Sequence, residues 1–267
     1  MDRRPIAFFD SGVGGFTVLR AALQVLPGQK YLYLADNARA PYGDLSPEVI
    51  SDFTLEAFRF FIEMNAKAII VACHTASVTC LPILQKEISV PVLGVTQGSL
   101  RSVCDLRQGS RIAVLGTTRT VQSGFYQKEL QALGFQVLSV ACPSLAPLIE
   151  EGVFGGVLLE ERVRSDLSVL SGEKIDAVLF VCTHYPLIQD IIEKVLGPDI
   201  LYVDGAQYTA LQLSEMFLSD EKKSSSIEVY RTGSSKLFMR TAECILQRPL
   251  QCHVINIVDS AILPRGI

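Results

Sequence analysis

Two short segments of the chain place a histidine beside a cysteine at the end of an apolar run. The first, "IIVACHTAS", contains Cys73 and His74, and the second, "LFVCTHYPL", contains Cys182 and His184. The chain has three histidines in all, so two of the three lie in these matching settings. Thiols and imidazoles are side chains that remove, donate and relay protons in enzymes. The two segments are therefore the first candidates for a functional site.

Four interpretations of these segments remain open on the residues alone. Zinc would need four ligands from two distant segments, and adjacent Cys and His side chains do not easily reach one metal. Thiol–disulfide exchange would need a special pairing of Cys73 with Cys182, because the chain has no CxxC motif. Both cysteines could instead be buried structural thiols. The fourth interpretation is acid–base chemistry, in which one thiol removes a proton from a carbon and the other returns a proton to its opposite face.

Acid–base chemistry by a thiol requires help with ionisation. A thiol with a pKa near ~8.5 is only about 3 % thiolate at neutral pH. A neighbouring base or proton relay would supply the missing activation, and His184 and Asp10 are the candidates.

The cysteines end two of the apolar runs of strand length in the chain. These runs are "IAFF", "YLYLA", "AIIVAC", "VPVLGV", "RIAVLG", "FQVLSVAC", "DAVLFVC" and "ILYVD". They alternate with amphipathic helical patterns such as residues 46–64, where Ser46 is the expected N-cap and Pro47 suits the first turn. Continuous apolar strands that alternate with such helices predict an α/β fold with a largely parallel sheet and helices on both faces.

The two halves of the chain resemble each other weakly. "PIAFFDSGVGG" at Ile6 is similar to "RIAVLGTTRT" at Ile112, 106 residues later, and "KAIIVACHT" is similar to "DAVLFVCTH", 109 residues later. Two offsets this close predict two similar α/β units, each with a cysteine at the end of an equivalent strand. Such a pair of units would supply one thiol to each side of a substrate.

Each predicted strand is followed by a short polar segment. In open α/β sheets the ligand crevice lies beyond the carboxyl ends of the strands, and the helix that follows offers backbone N–H groups to an anion. The glycine-rich "DSGVGG" of residues 10–15 does not match the dinucleotide-binding pattern and no Walker motif is present, so we interpret it as a strand-to-helix turn. The polar segments begin at Asp10, Asp36, Cys73, Thr96, Thr117, Cys142, Cys182 and Asp204.

Composition argues against several classes of protein. With 267 residues the chain can form one large α/β domain or two medium ones, and 49 % apolar residues predict a sizeable core. No run of about 18 apolar residues and no leader pattern is present, so we expect a cytoplasmic protein with no membrane span. A net charge of −4 without a basic cluster argues against nucleic acid as a partner. Seven cysteines without CxxC spacing argue against a disulfide framework.

Five motifs occur in a fixed order along the chain: "FFDSGVGGFTVL", "LADNARAPYG", "VACHTAS", "CPSLAPLIEEG" and "VCTHYPLI". Together they resemble the glutamate racemase family, and the resemblance extends from about Ile6 to "YRTGSSKLF" near residue 235. It implies an isomerase that interconverts L- and D-glutamate without cofactor or metal and supplies D-glutamate for peptidoglycan. It also implies a cytoplasmic homodimer.

The resemblance implies a division of the chain into two similar doubly wound α/β domains, each with a largely parallel sheet, that face each other across an active-site cleft. The first would comprise residues 1–97 and 206–267, because the C-terminal segment returns to complete it. The second would comprise residues 98–205. The only partner expected besides a second copy is the small-molecule substrate.

The resemblance also assigns roles to residues of this chain. Cys73 and Cys182 would be the two bases, each serving one enantiomer and acting as the acid for the other. Asp10 would assist Cys73, His184 would assist Cys182, and Glu150 would be a further acidic residue of the cleft. The residues expected to hold the substrate are Ser11, Asp36, Pro41, Tyr42, Gly43, His74, Thr75 and Thr183.

The chain departs from the family pattern at three positions. His74 stands where the family usually has asparagine, Asn37 where threonine is commoner, and Val181 where glycine is commoner. We interpret His74 as a tolerated substitution, because an imidazole can still donate one hydrogen bond. Two alternatives stay open: a related racemase for aspartate or another amino acid, and a catalytically weak binding protein that keeps the same cleft.

Overall fold

The strands that the structure describes form two sheets in which neighbouring strands are parallel. The computed structural model describes residues 2–219 and 223–257. The strands in these residues are β1 (Ile6–Asp10), β2 (Lys30–Ala35), β3 (Ala68–Val71), β4 (Val92–Gly94), β5 (Arg111–Gly116), β6 (Gln136–Ala141), β7 (Ala177–Val181), β8 (Leu201–Asp204), β9 (Ser226–Arg231) and β10 (Gln251–Val254). The first sheet has the order β10-β9-β2-β1-β3-β4, and the second has the order β6-β5-β7-β8.

Helices connect the strands and cover the sheets. They are α1 (Phe16–Val25), α2 (Pro47–Glu63), α3 (His74–Glu87), α4 (Val95–Arg101), α5 (Thr118–Gln122), α6 (Phe125–Ala132), α7 (Leu145–Glu150), α8 (Val157–Asp166), α9 (Gln189–Leu196), α10 (Ala206–Met216) and α11 (Lys236–Leu246). Short 3-10 turns occur at Tyr42–Asp44, Ser168–Leu170 and Tyr185–Ile188. Among the described residues, no helix has both the length and the apolar character needed to cross a membrane.

Each sheet separates two apolar cores, because successive side chains of a strand point to opposite faces. In β1, Ile6 and Phe8 pack into one core, whereas Ala7 and Phe9 pack into the other. The residues of β5 divide in the same way between the two cores of the second sheet. Burial on both faces accounts for the continuous apolar runs of the sequence, and the predicted α/β fold class is confirmed.

The two sheets repeat one strand order. The series β2-β1-β3-β4 in the first sheet corresponds to β6-β5-β7-β8 in the second. Cys73 follows β3 and Cys182 follows β7, which are equivalent strands. The predicted pair of similar α/β units, each with a cysteine at the same place, is therefore confirmed.

The C-terminal part of the described chain adds to the first sheet, where β9 pairs with β2 and β10 pairs with β9. We call the six-stranded sheet with α1, α2, α3 and α11 the first unit, and the four-stranded sheet with α5 to α9 the second unit. The predicted domain boundary between residues 97 and 98 falls within α4. The division into 1–97 plus 206–267 and 98–205 stays a prediction.

Candidate active site

The carboxyl ends of the strands in the first unit face those in the second unit. The backbone N–H of Val13, just after β1, donates to Glu150 Oε1 of α7 at 2.7 Å. Thr183 Oγ1, just after β7, donates to Asp10 Oδ2 at the end of β1 at 3.2 Å. The polar segments that follow the strands of the two units therefore meet in one cleft.

Cys73 follows β3 and occupies the N-cap position of α3. Its side chain is 6 % exposed, and its Sγ lies 3.8 Å from the Oγ of Ser11. Burial and the nearby charge of Asp10 raise the pKa of the Cys73 thiol to about 12. Cys73 is therefore a thiol at neutral pH, the form in which it can donate a proton.

Asp10 ends β1 and is fully buried between the two units. Its Oδ1 accepts a hydrogen bond from the Gly12 N–H at 2.8 Å, and its Oδ2 accepts the one from Thr183. Burial raises the pKa of Asp10 to about 6, although the charge on His184 and the two hydrogen bonds act in the opposite direction. A carboxyl group with this pKa can gain or lose a proton near neutral pH.

Cys182, His184 and Glu150 form a line of contacts in the second unit. His184 Nδ1 lies 3.6 Å from the Cys182 Sγ, and its Nε2 lies 2.6 Å from Glu150 Oε1. Burial lowers the pKa of His184, but its hydrogen bonds with Cys182 and Glu150 raise it more, so that it lies well above its ordinary value. The imidazole is therefore placed to pass a proton to or from Cys182.

The glycines of "DSGVGG" let the first unit approach the second closely. A Cβ atom on Gly12 would lie 1.7 Å from Glu150 Oε1, and one on Gly14 would lie 2.3 Å from Thr183 Oγ1. Any side chain here would displace these groups of the cleft. The segment is a strand-to-helix turn as predicted, and the sequence pattern did not reveal its contact with the second unit.

Asp36 anchors a second loop at the edge of the cleft. Its Oδ2 accepts hydrogen bonds from the Tyr42 hydroxyl and from the Arg39 guanidinium, the latter at 2.7 Å. Its Oδ1 accepts a hydrogen bond from the Thr232 hydroxyl at 2.8 Å. Asp36 is thus occupied by protein partners and holds the loop in place, and its direct role toward a substrate stays a prediction.

The same loop reaches the second unit. A Cβ atom on Gly43 would lie 2.9 Å from the Cβ of Thr117, which follows β5. A cavity of about 220 Å³ lies beside this loop and contains both Pro41 and Glu150 in its lining. The lining residues are Asn37, Ala40, Pro41, Pro147, Glu150, Glu151, Ser235 and Phe238.

The residues after Cys73 also contact the second unit. His74 Nδ1 lies 2.7 Å from the Tyr126 hydroxyl, and Thr75 Oγ1 lies 2.9 Å from Thr117 Oγ1. Sequence reasoning found Thr117 as a polar strand end but missed Tyr126, which belongs to none of the motifs. The predicted site residues that take part in the contacts above are Asp10, Ser11, Cys73, His74, Thr75, Glu150, Cys182, Thr183 and His184.

Zinc was one interpretation of the cysteine–histidine pattern. Within residues 2–219 and 223–257, no three or more His, Cys, Asp and Glu side chains are grouped so that they could hold a metal ion. The side-chain contacts described above are hydrogen bonds between proton donors and acceptors.

Comparison with known proteins agrees with this geometry. A family model described as Asp/Glu/Hydantoin racemase matches residues 17–213. The chain belongs to this racemase family. A glutamate racemase of Streptococcus gordonii is 36 % identical to this family member over 265 residues, which cover 96 % of the chain and 100 % of the relative.

Solved structures of the racemase family resemble the chain over nearly its full length. Glutamate racemase from Francisella tularensis in complex with D-glutamate is similar with a TM-score of 0.89 and 30 % identity, and the match covers 98 % of this chain and 100 % of that one. Glutamate racemase from Aquifex pyrophilus is similar with a TM-score of 0.79 and 39 % identity, over 93 % of this chain and 98 % of that one.

Proposed function

We propose that the protein is a glutamate racemase that interconverts L- and D-glutamate without a cofactor. The relative from Streptococcus gordonii and both solved structures are glutamate racemases, which supports glutamate as the substrate. One observation carries the proposal: each unit contributes a buried thiol at the end of an equivalent strand, and each thiol has a titratable neighbour. This is the arrangement that proton transfer at two faces of one carbon requires.

In the proposed reaction, the thiolate of one cysteine removes the α-proton of glutamate. The Cα–H bond breaks, an S–H bond forms, and the electron pair remains on Cα beside the carboxylate. The thiol of the other cysteine then donates its proton to the opposite face of Cα, which yields the other enantiomer and a new thiolate. The two cysteines exchange roles when the reaction starts from the other enantiomer.

Asp10 and His184 are the proposed proton-transfer partners of Cys73 and Cys182. Because Cys73 rests as a thiol, with a pKa raised to about 12, we assign it the acid role when reaction starts from this state. Cys182 then acts as the base, and His184 exchanges the proton with it while Glu150 holds the other ring nitrogen.

Hydroxyl groups and a helix N-terminus suit the two carboxylates of glutamate. Ser11, Thr75 and Thr183 supply hydroxyls in the cleft, and α3 begins directly after Cys73, so its N-terminal N–H groups favour an anion there. In a site that excludes water, such groups also stabilise the negative charge that develops at Cα. The loop with Asp36, Pro41, Tyr42 and Gly43, together with His74, completes the proposed substrate site.

The family resemblance supports further proposals about the whole protein. We propose that it is a cytoplasmic homodimer, that it supplies D-glutamate for peptidoglycan, and that its domains are residues 1–97 with 206–267 and residues 98–205.

To test the proposal, L-glutamate, D-glutamate or L-aspartate is added to the purified protein without a cofactor, and racemisation is measured by the circular dichroism of the amino acid. We expect both enantiomers of glutamate to racemise, and Cys73→Ala and Cys182→Ala each to lower the rate at least about 10²-fold. The matched control is Cys104→Ala, which changes an exposed thiol and should keep the wild-type rate. Racemisation of aspartate alone would assign the protein to the related-racemase alternative. An active Cys73→Ala variant would contradict the two-cysteine mechanism.

A further inference from the structure

Each candidate cysteine is followed directly by residues that bond to the opposite unit. After Cys182, Thr183 donates to Asp10 of the first unit at 3.2 Å. After Cys73, His74 Nδ1 lies 2.7 Å from the hydroxyl of Tyr126 in the second unit. On the two segments that carry the thiols, contacts with the opposite unit therefore start one residue beyond each thiol.

We propose that the hydrogen bond between His74 and Tyr126 is a tether between the two units that positions Cys73 for proton transfer. His74 is the first residue of α3, and Tyr126 lies in α6. Through this hydrogen bond both residues act on the reaction by way of Cys73, so Tyr126 is a positioning residue, and His74 has this role in addition to its proposed place in the substrate site. This inference rests on the proposed function and adds a role for Tyr126, which belongs to none of the family motifs, and for its partner His74.

The two side chains lie in a buried, neutral environment. His74 is 3 % exposed and Tyr126 is 2 % exposed, and their ring centroids lie 5.9 Å apart. Burial lowers the pKa of His74 to about 3 and raises that of Tyr126, so both side chains stay uncharged in the physiological range. Tyr126→Phe leaves the buried Nδ1 of His74 without this hydrogen bond, which is more costly than the bond itself is favourable. His74→Leu removes the same bond, and the Tyr126 hydroxyl keeps a second side-chain hydrogen bond with Ser99.

The tether reaches Cys73 through the backbone. Cys73 is the N-cap residue of α3, so a displacement of the first helical turn moves its Sγ as well. Misplacement of a reacting atom by about 1 Å can slow a reaction about 10²-fold. The contact of Thr75 with Thr117 holds the same turn at a second point, so loss of the tether should loosen this turn without opening the cleft.

The atom that makes the contact explains which substitutions the tether should tolerate. Nδ1 of histidine is bonded to Cγ, as are the side-chain oxygen and nitrogen of asparagine. His74→Asn therefore keeps a hydrogen-bonding atom near the Tyr126 hydroxyl. His74→Leu fills the space with an apolar side chain that cannot form this hydrogen bond. The tether is thus compatible with either histidine or asparagine at position 74, where the family usually has asparagine.

The first experiment measures kcat and KM for L-glutamate. Tyr126→Phe and His74→Leu should each lower kcat about tenfold with a smaller change in KM, and the double variant should be no slower than the slower single variant. His74→Asn should stay within about threefold of the wild type. The matched control is Tyr202→Phe, which removes a phenol hydroxyl bonded to the Gly197 carbonyl oxygen at 2.8 Å within the second unit. It should keep the wild-type kcat.

Three results would overturn the tether. The first is a wild-type kcat in Tyr126→Phe. The second is a double variant whose loss is the product of the single losses, because His74 would then act independently of Tyr126. The third is an equal loss of kcat in Tyr202→Phe, which would show that the lower kcat of Tyr126→Phe comes from general destabilisation of the protein.

A second experiment does not depend on racemisation. The rate at which iodoacetamide alkylates Cys73 is measured by peptide mass spectrometry, with the exposed Cys104 as an internal reference. Tyr126→Phe should accelerate alkylation of Cys73 about threefold or more and leave Cys104 unchanged, because a loosened turn exposes the thiol more often. If the wild type does not racemise glutamate but this acceleration occurs, the proposed function fails and the tether stands. An unchanged Cys73 rate would overturn the tether.

Discussion

Asp10 and Cys73 share one buried site in which the charge of one disfavours the ionisation of the other. Burial raises the pKa of Cys73 to about 12 and that of Asp10 to about 6, and the charge of Asp10 adds to the shift at Cys73. At neutral pH the stable pair is therefore a carboxylate and a thiol. The ammonium group of a bound amino acid would favour the thiolate, so the site ionises most readily when substrate is present.

The raised pKa of Asp10 predicts a pH-dependent cost to stability. Its folded-state pKa of about 6 exceeds the ordinary 3.8, so its contribution to stability is complete below the ordinary value and is lost as the pH rises through 6. The loss is at most about 3 kcal/mol. An asparagine side chain does not titrate, so Asp10→Asn removes this pH-dependent loss of stability. The free energy of unfolding of the variant should therefore rise relative to that of the wild type as the pH rises from about 4 to about 7.

Urea unfolding of both proteins across this pH range measures the difference in their free energies of unfolding. A difference that does not change with pH would contradict the raised pKa of Asp10.

Among the structural elements, the turn between β1 and α1 brings the two units together. Gly12→Ala would place a methyl group 1.7 Å from the present position of Glu150 Oε1, so Glu150 would have to leave both Val13 and His184. We expect kcat/KM for glutamate to fall at least about 10²-fold, with the helix content unchanged.

Gly155→Ala is the matched control, because a Cβ atom at Gly155 meets nothing within 4 Å. It should keep the wild-type kcat/KM. A fully active Gly12→Ala variant would show that the contact of Glu150 with this turn is not needed for the reaction.

The strands illustrate how far the sequence predicts the fold. The eight apolar runs correspond to β1 through β8. Burial on both faces of a parallel sheet demands such runs in β1, β3, β5 and β7, whereas β6 and β8 are apolar although they are partly exposed. β9 and β10 lie together at one edge of the first sheet, where alternate residues of Ser226–Arg231 are partly exposed, so "SIEVYR" carries no apolar run. The predicted helix at residues 46–64 is confirmed, with the Ser46 hydroxyl accepting the Val49 N–H at 3.4 Å.

In the molecule as a whole, the site depends on how two units face each other. The pair of Cys182 and His184 could be predicted because its members are two residues apart. The contact between His74 and Tyr126 spans 52 residues and links different units, so no local pattern encodes it. Glu150 was predicted as a site residue only from the resemblance to the family motifs, because its contact with His184 spans 34 residues.

The central claim is that two thiols act on opposite faces of one carbon, and solvent isotope exchange tests it most directly. The wild-type protein acts briefly on L-glutamate in deuterated water, the enantiomers are separated by chiral chromatography, and deuterium at Cα is measured by mass spectrometry. The account predicts deuterium in nearly all of the D-glutamate formed and the original α-proton in the recovered L-glutamate, because the thiol that protonates the product is not the one that deprotonated the substrate. Equal deuterium in product and recovered substrate, or product that keeps the original α-proton, would contradict it.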